Sequence, residues 1–147
     1  MDNNKHTYVE EIIEHINHLK MQRRSVDSQQ KTGRGFGFVL SYLYYNDTNV
    51  IPSELGKIMH VSTPRVTAIL NKLEAKNLIE RKISPEDRRN VFITLSDQGR
   101  KVVEEKKAQQ QQNIQTLVDR LDEKDVEAFL RVLKTLDTII DEQGFGL

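Results

Sequence analysis

The chain has 147 residues, and its 22 lysines and arginines balance 22 acidic residues to a formal net charge of zero, although charged residues form 30% of it. This length suits one domain over residues 1–147, without a separate catalytic domain. The absence of cysteine excludes disulfides, zinc–thiolate sites, a thiol nucleophile and a thiol-oxidation switch. No run approaches the roughly 18 apolar residues of a membrane span, and the N-terminal residues lack a signal-peptide pattern. We therefore expect a cytoplasmic protein with no membrane partner.

Apolar residues at helical spacing predict a mostly α-helical fold with one small β-hairpin. A first helix is expected from about Thr7 to Arg24, and the glycine-containing segment from Ser25 to Gly37 is expected to be a loop. The remaining predicted elements are a core helix from Phe38 to about Asn46, a short helix from Pro52 to Met59, a helix from Pro64 to Lys76, strands over 78–83 and 90–95, a long helix from Ser96 to about Leu121, and a last helix after Asp122.

Between Pro52 and Leu95 the predicted order is helix, tight turn, helix and β-hairpin, which is the order of a winged helix-turn-helix. Such a unit places its second helix in the major groove of DNA. Asparagine can pair bidentately with adenine, a threonine methyl can contact thymine, and flanking cations suit phosphates. On this helix the apolar stripe faces inward, and the candidate DNA-binding residues of the turn and the outward face are Ser62, Thr63, Arg65, Thr67, Asn71 and Lys72.

The tip of the predicted hairpin is charged and adds three candidates, Asp87, Arg88 and Arg89. The negative potential of a minor groove attracts arginine, so a basic finger at this point can enter the groove beside the helix. The alternative interpretation is an ordinary solvated helix face followed by a soluble turn.

Together these motifs resemble those of the MarR family of winged-helix transcriptional regulators. The resemblance lies in residues 53–56, 61–67 and 73–81, and above all in Asp87-Arg88-Arg89 followed by Leu95-Ser96-Asp97-Gln98-Gly99, where Ser96 replaces the usual threonine of the family's wing signature. It implies that Arg89 is the minor-groove arginine and Asp87 its orienting partner. Two departures occur: Asn77 stands where the family usually has glycine, and Gly56 stands where alanine is usual. Asparagine can adopt the left-handed conformation of the helix cap expected at this position.

The resemblance also implies a homodimer, with a DNA-binding portion at 36–95 and dimerisation helices at 5–25 and 97–143. The apolar residues of the terminal helices would supply its interface, and the alternative is that they pack within one chain. The residues concerned are Val9, Ile12, Ile13, Ile16 and Leu19, with the seam from Val126 to Ile140.

The leading hypothesis is a sequence-specific DNA-binding transcription regulator that represses a nearby gene from a pseudo-palindromic operator. A small aromatic or lipophilic effector would release it, as is common in the family, and Phe38, Tyr42, Tyr44 and Tyr45 are candidates to line its pocket unless they are simply core. A winged-helix protein-interaction module without DNA binding is the second hypothesis.

Other chemistry finds little support in the residues. His15 and His18 lie three apart near Glu11 and Glu14, which suits metal ligands on one helix face, but no complete ligand set is recognisable. The glycines at 33–37 do not match the spacing of a dinucleotide loop. No serine has a partnering base, and a small enzyme with paired carboxylates has no motif to support it. We expect no metal, no cofactor and no enzymatic activity.

The zero net charge averages two unlike segments. Residues 52–95 contain eight basic and five acidic side chains, a balance of +3, whereas residues 96–147 contain eight basic and eleven acidic side chains, a balance of −3. A basic segment followed by an acidic one is the charge distribution expected of a DNA-binding protein whose other helices do not touch DNA.

Overall fold

A computed structural model describes residues 2–26, 34–46 and 49–143. Within these ranges the chain forms helices α1 (Asp2–Val26), α2 (Arg34–Tyr45), α3 (Pro52–Met59) and α4 (Thr63–Ala75), strands β1 (Ile79–Ile83) and β2 (Val91–Leu95), and helices α5 (Asp97–Arg120) and α6 (Glu123–Gln143). The predicted mostly helical fold with one β-hairpin is confirmed. No helix among the described residues is long and apolar enough to cross a lipid bilayer.

The predicted loop from Ser25 to Gly37 is wrong at both ends. Helix α1 continues to Val26, α2 already begins at Arg34, and residues 27–33 lie outside the described part of the chain. Gly35 therefore lies within a helix, where a Cβ would come within 2.6 Å of Ile69 Cδ1 on α4. This glycine permits a close helix–helix approach instead of marking a turn.

The chain divides into two compact units. Residues 27–105 form the winged-helix unit, and residues 1–26 with 106–147 form the terminal unit. In the winged-helix unit, β1 pairs antiparallel with β2, from Ile79 opposite Leu95 to Ile83 opposite Val91. The core between this hairpin and the helices contains Val39, Leu40, Leu43, Val50, Leu55, Val66, Ile69, Leu70, Leu73, Ile79, Ile93 and Val103.

Two left-handed residues end the helices of the helix-turn-helix. His60 follows α3 with φ 54°, and Asn77 follows α4 with φ 57°. After α4, the Asn77 amide donates to the Glu74 carbonyl at 2.9 Å and the Leu78 amide to the Leu73 carbonyl at 3.0 Å. This is the hydrogen-bond pattern of a Schellman motif, so the predicted left-handed cap at Asn77 is confirmed.

Helix α5 begins directly against the start of β1. The Ser96 side chain caps it by accepting from the Gly99 amide at 2.9 Å, while its hydroxyl donates to the Asn77 carbonyl at 2.6 Å. The Ser96 amide also donates to the Leu78 carbonyl at 3.1 Å. A Cβ on Gly99 would lie 2.0 Å from that same Leu78 oxygen, so only glycine fits at this position without movement.

In the terminal unit, α1 and α6 pack together with the second half of α5. Tyr8 donates from its hydroxyl to the carboxylates of Glu123 and Glu127, 3.1 Å away in each case. Desolvation, together with these hydrogen bonds, raises the pKa of Tyr8 to about 12.

Much of the apolar surface predicted for dimerisation packs inside one chain. The buried core of the terminal unit contains Val9, Ile12, Val118, Val126, Leu130 and Leu133.

Candidate nucleic-acid interface

Helix α4 has one buried and one exposed face, as its sequence pattern predicts. The side chains of Val66, Ile69, Leu70 and Leu73 form its buried stripe and are at most 2% exposed. Among the candidate residues on this helix, Arg65 is half-buried, and the exposed ones are Thr63, Thr67, Asn71 and Lys72. The polar side chains that suit base and phosphate contacts thus lie together on the face away from the core.

The turn before α4 is set by Ser62. This residue is extended, and its hydroxyl accepts a hydrogen bond from the Arg65 amide at 3.4 Å. Pro64 occupies the first turn, where a backbone amide would have no intrahelical partner, so its missing amide proton costs no hydrogen bond. Ser62, a candidate DNA contact, therefore also has a structural role as the N-cap of the helix.

At the hairpin tip the two residues of the predicted wing pair lie together. The Asp87 carboxylate accepts from the Arg89 backbone amide at 3.0 Å and lies 3.5 Å from Arg89 Nε. The Arg89 side chain is 93% exposed, and Arg88 beside it is exposed as well. The tip therefore presents a cation to solvent, with the Asp87 carboxylate beside it.

Sequence reasoning missed the residue that organises this tip. Ser84 is 5% exposed, and its hydroxyl accepts from the amides of Glu86 at 3.3 Å and Asp87 at 3.4 Å. Its own amide donates to the Asn90 carbonyl at 2.9 Å, which closes the turn. A serine immediately before Pro85 was the available signal, because serine hydroxyls commonly bond the backbone two or three residues further on.

A second missed feature connects the hairpin to α4. Arg81 on β1 donates from Nη2 to Asn71 Oδ1 at 2.6 Å and lies with its Nε 2.5 Å from Glu74 Oε2. Asn71 and Glu74 are three residues apart and hence share one helix face. Asn71, a candidate DNA-binding residue, is therefore held by Arg81 of the β1–β2 hairpin, which is the wing of this fold.

The four aromatic side chains proposed for an effector pocket form two pairs. Phe38 stacks on Tyr42 with ring centroids 6.0 Å apart, and Tyr44 meets Tyr45 edge-on at 5.3 Å. The Tyr42 hydroxyl donates to Glu54 at 2.8 Å; this bond and desolvation raise the pKa of Tyr42. Phe38 is buried, whereas Tyr45 is 66% exposed, so these rings have unlike environments.

The two histidines considered as metal ligands contact α6 of the terminal unit instead. His15 Nδ1 bonds Asp137 Oδ2, and His18 Nδ1 lies 3.0 Å from Asp137 Oδ1. The hydrogen bond to Asp137 raises the pKa of His18 although desolvation opposes it. Desolvation pushes the pKa of Asp137 upward, but the bonds from His18 and His15 outweigh it and lower that pKa. Across the described ranges, no three His, Asp or Glu side chains are placed to hold a metal ion.

Comparison with known proteins identifies the family. The model of the MarR family matches residues 38–90, which span the helix-turn-helix and most of the hairpin. The HTH-type transcriptional regulator YwhA of Bacillus subtilis is 34% identical over 100 residues, covering 68% of this chain and 71% of that protein. The chain belongs to the MarR family. It is accordingly a transcription regulator, and the relatives that it matches are named as transcriptional regulators.

Solved structures of MarR-family regulators extend the match over most of the chain. MepR of Staphylococcus aureus, a transcription regulator of the multidrug efflux pump MepA, is 26% identical with a TM-score of 0.63, covering 87% of this chain and 96% of MepR. MepR bound to ethidium bromide matches with a TM-score of 0.54 at 26% identity, covering 87% and 94%. FabT of Streptococcus pneumoniae in complex with DNA is 27% identical with a TM-score of 0.58, covering 70% and 73%.

Proposed function

We propose that this MarR-family regulator is a homodimeric repressor that binds a pseudo-palindromic operator through α4 and the wing. The observation that carries this proposal is the pairing, within one unit, of an exposed polar face on α4 with a projecting arginine, Arg89, at the wing tip. The first suits the major groove and the second suits the minor groove. The similarity to FabT, which is solved in complex with DNA, supports the same use of the fold.

In this proposal each residue type has a separate task. Thr63, Thr67 and Asn71 contact base edges, whereas Ser62, Arg65 and Lys72 contact phosphates near the helix. Arg89, oriented by Asp87 and accompanied by Arg88, enters the minor groove. Two copies of α4 about 34–36 Å apart would read successive major grooves, which accounts for the two-fold symmetry of the operator.

The dimer would use apolar side chains that the terminal unit leaves exposed. Val132 and Ile139 lie seven residues apart on α6 and hence on one face, with exposed fractions of 56% and 39%. These side chains make a smaller apolar surface than the whole stripe predicted from the sequence, because Val9, Ile12 and Leu133 already pack inside the chain.

Release by a small aromatic or lipophilic effector is the regulatory part of the proposal. An effector that binds better to a conformer unable to engage the operator shifts the population away from the DNA-bound form. The complex of MepR with ethidium bromide supports an aromatic ligand for a protein of this fold.

The experiment measures binding to random-sequence duplex DNA by fluorescence anisotropy at a series of salt concentrations. Binding through phosphates predicts that log K falls linearly with log salt, because bound counterions are released. Arg89→Ala is expected to weaken binding while light scattering still finds a dimer. Arg120→Ala is the matched control, because it also removes one positive charge, but at the end of α5, far in sequence from α4 and the wing tip. It is expected to leave binding unchanged.

Two results would contradict the proposal. Binding that is absent, or insensitive to salt, favours the alternative of a protein-interaction module. Equal effects of Arg89→Ala and Arg120→Ala would show that the wing arginine has no particular role.

A further inference from the structure

Arg81 occupies the side of β1 that faces α4. Side chains two residues apart on a strand share a face, and Ile79, two residues before Arg81, is 2% exposed. The strand partner of Arg81 is Ile93, which is 1% exposed. The guanidinium is therefore directed from the hairpin toward α4, where it meets Asn71 and Glu74.

The two contacts of Arg81 use one edge of its guanidinium. Nε lies 2.5 Å from Glu74 Oε2, and Nη2 donates to Asn71 Oδ1 at 2.6 Å. The planar guanidinium presents its donors in a rigid fork, so anchoring Nε on the carboxylate also fixes the direction of Nη2. Glu74 thus holds the group that in turn holds Asn71.

This contact determines which way the Asn71 amide points. Guanidinium has donors only, so the amide must turn its oxygen toward Arg81 and its NH2 group away. Without such a partner, the two orientations of an asparagine amide are nearly equivalent in shape and exchange donor for acceptor. Because a carbonyl oxygen has two lone pairs, Oδ1 retains one for a base while it accepts from Arg81.

We propose that Arg81 is a positioning residue for base recognition, which orients the Asn71 amide on the exposed face of α4 through a guanidinium anchored on Glu74. The inference rests on the proposed function, since it concerns how the same face reads DNA. A fixed amide presents its donor and acceptor to the base pair in one order, whereas a free amide presents either order. Base preference at the position read by Asn71 then depends on a side chain that need not touch a base.

The test is selection of binding sequences from random duplex DNA with the full-length protein and its variants. Arg81→Met keeps the aliphatic stem and removes the donors. It is expected to reduce base preference at the position where Asn71→Ala reduces it, by roughly 5- to 150-fold in relative affinity. The double variant should be no less selective there than Asn71→Ala alone, since Arg81 acts through Asn71. Arg81→Lys, which retains a donor, should restore part of the preference.

Lys82→Met is the matched control, because it removes the same charge from the next residue of β1, on the opposite face of the strand. It should lower affinity for all sequences alike and leave the selected motif unchanged. A purely structural role of Arg81 would likewise change affinity uniformly. Glu74→Gln gives an independent measurement on an exposed residue: weaker anchoring should relax the same operator position partially.

The outcomes separate this inference from the function on which it rests. If Arg81→Met or, should that variant not fold, Glu74→Gln selects the same motif with the same preference at every position, the positioning role is overturned and DNA recognition stands. If the unmodified protein enriches no motif, the proposed function is wrong and the positioning role falls with it.

Discussion

Gly99→Ala tests the packing that joins the wing to α5. The Leu78 carbonyl accepts from the Ser96 amide at 3.1 Å, and a Cβ on Gly99 would lie 2.0 Å from that oxygen. Ordinary contact begins at 3.4 Å, so the helix start must retreat by the difference, about 1.4 Å. Such a movement lengthens the Ser96–Leu78 bond beyond hydrogen-bonding distance and strains the Ser96–Asn77 bond as well.

The magnitude follows from these contacts. Forced overpacking costs about 1–3 kcal/mol, and two weakened hydrogen bonds cost about 0.5–1.5 kcal/mol each. Alanine recovers about 1 kcal/mol of helix propensity, which leaves a loss of about 1–5 kcal/mol in the free energy of unfolding. For a chain of this size the melting temperature should fall by about 2–20 °C.

The assay is thermal unfolding followed by circular dichroism at one fixed chain concentration. Gly56→Ala is the matched control, because a Cβ on Gly56 would meet the Val61 carbonyl oxygen and Val66 Cγ2 at 3.4 Å, an ordinary contact. It adds a helix-favouring residue inside α3 and should leave stability unchanged or raise it by up to about 1 kcal/mol. Equal melting temperatures for Gly99→Ala and the unmodified protein would refute the reasoning.

Two further predictions concern stability. The pKa of His18 is 6.5 in the unfolded chain and is raised in the folded protein. Below pH 6.5 His18 is protonated in both states, so its bond to Asp137 contributes fully to the free energy of unfolding. This contribution disappears as the pH rises through the raised folded pKa. Asp137 has an unfolded pKa of 3.8 and adds stability above it. Urea titrations should therefore find Asp137→Asn most destabilising between about pH 4 and pH 6.5, and progressively less so as the pH rises through the raised pKa of His18. Asn77 has φ 57°, so Asn77→Gly should be as stable as the unmodified protein or more so. Asn77→Ala should lose about 1 kcal/mol of stability in thermal melts. An alanine variant with unchanged stability would contradict the strain argument.

The elements between Pro52 and Leu95 were predictable because each has a local signal. The buried stripe of α4 recurs at helical spacing, the strands are rich in β-branched residues, and Pro52, Pro64 and Asn77 mark helix boundaries. Asp87 and Arg89 were likewise placed together correctly, since they are two residues apart in one turn. Local patterns were enough for these elements and for this pair, although Ser84, which accepts from the backbone two and three residues further on, was missed.

The other errors concern contacts between residues that are distant in sequence. Gly35 was interpreted as a loop residue because its contact, Ile69 on α4, is distant in sequence. The contact between Arg81 and Asn71 joins a strand to a helix, and that between His15 and Asp137 joins α1 to α6 across most of the chain. A one-dimensional pattern carries no information about such pairs. The predicted roles of the α4 and wing residues in DNA binding remain predictions.

The central claim, that α4 and the wing of a dimer read DNA by sequence, is tested most directly by selecting binding sequences from random duplex DNA with the unmodified protein. We expect enrichment of a motif with two-fold symmetry, whose half-sites are centred about 10–10.5 base pairs apart. Failure to enrich any sequence, or enrichment of a motif without such symmetry, would contradict it.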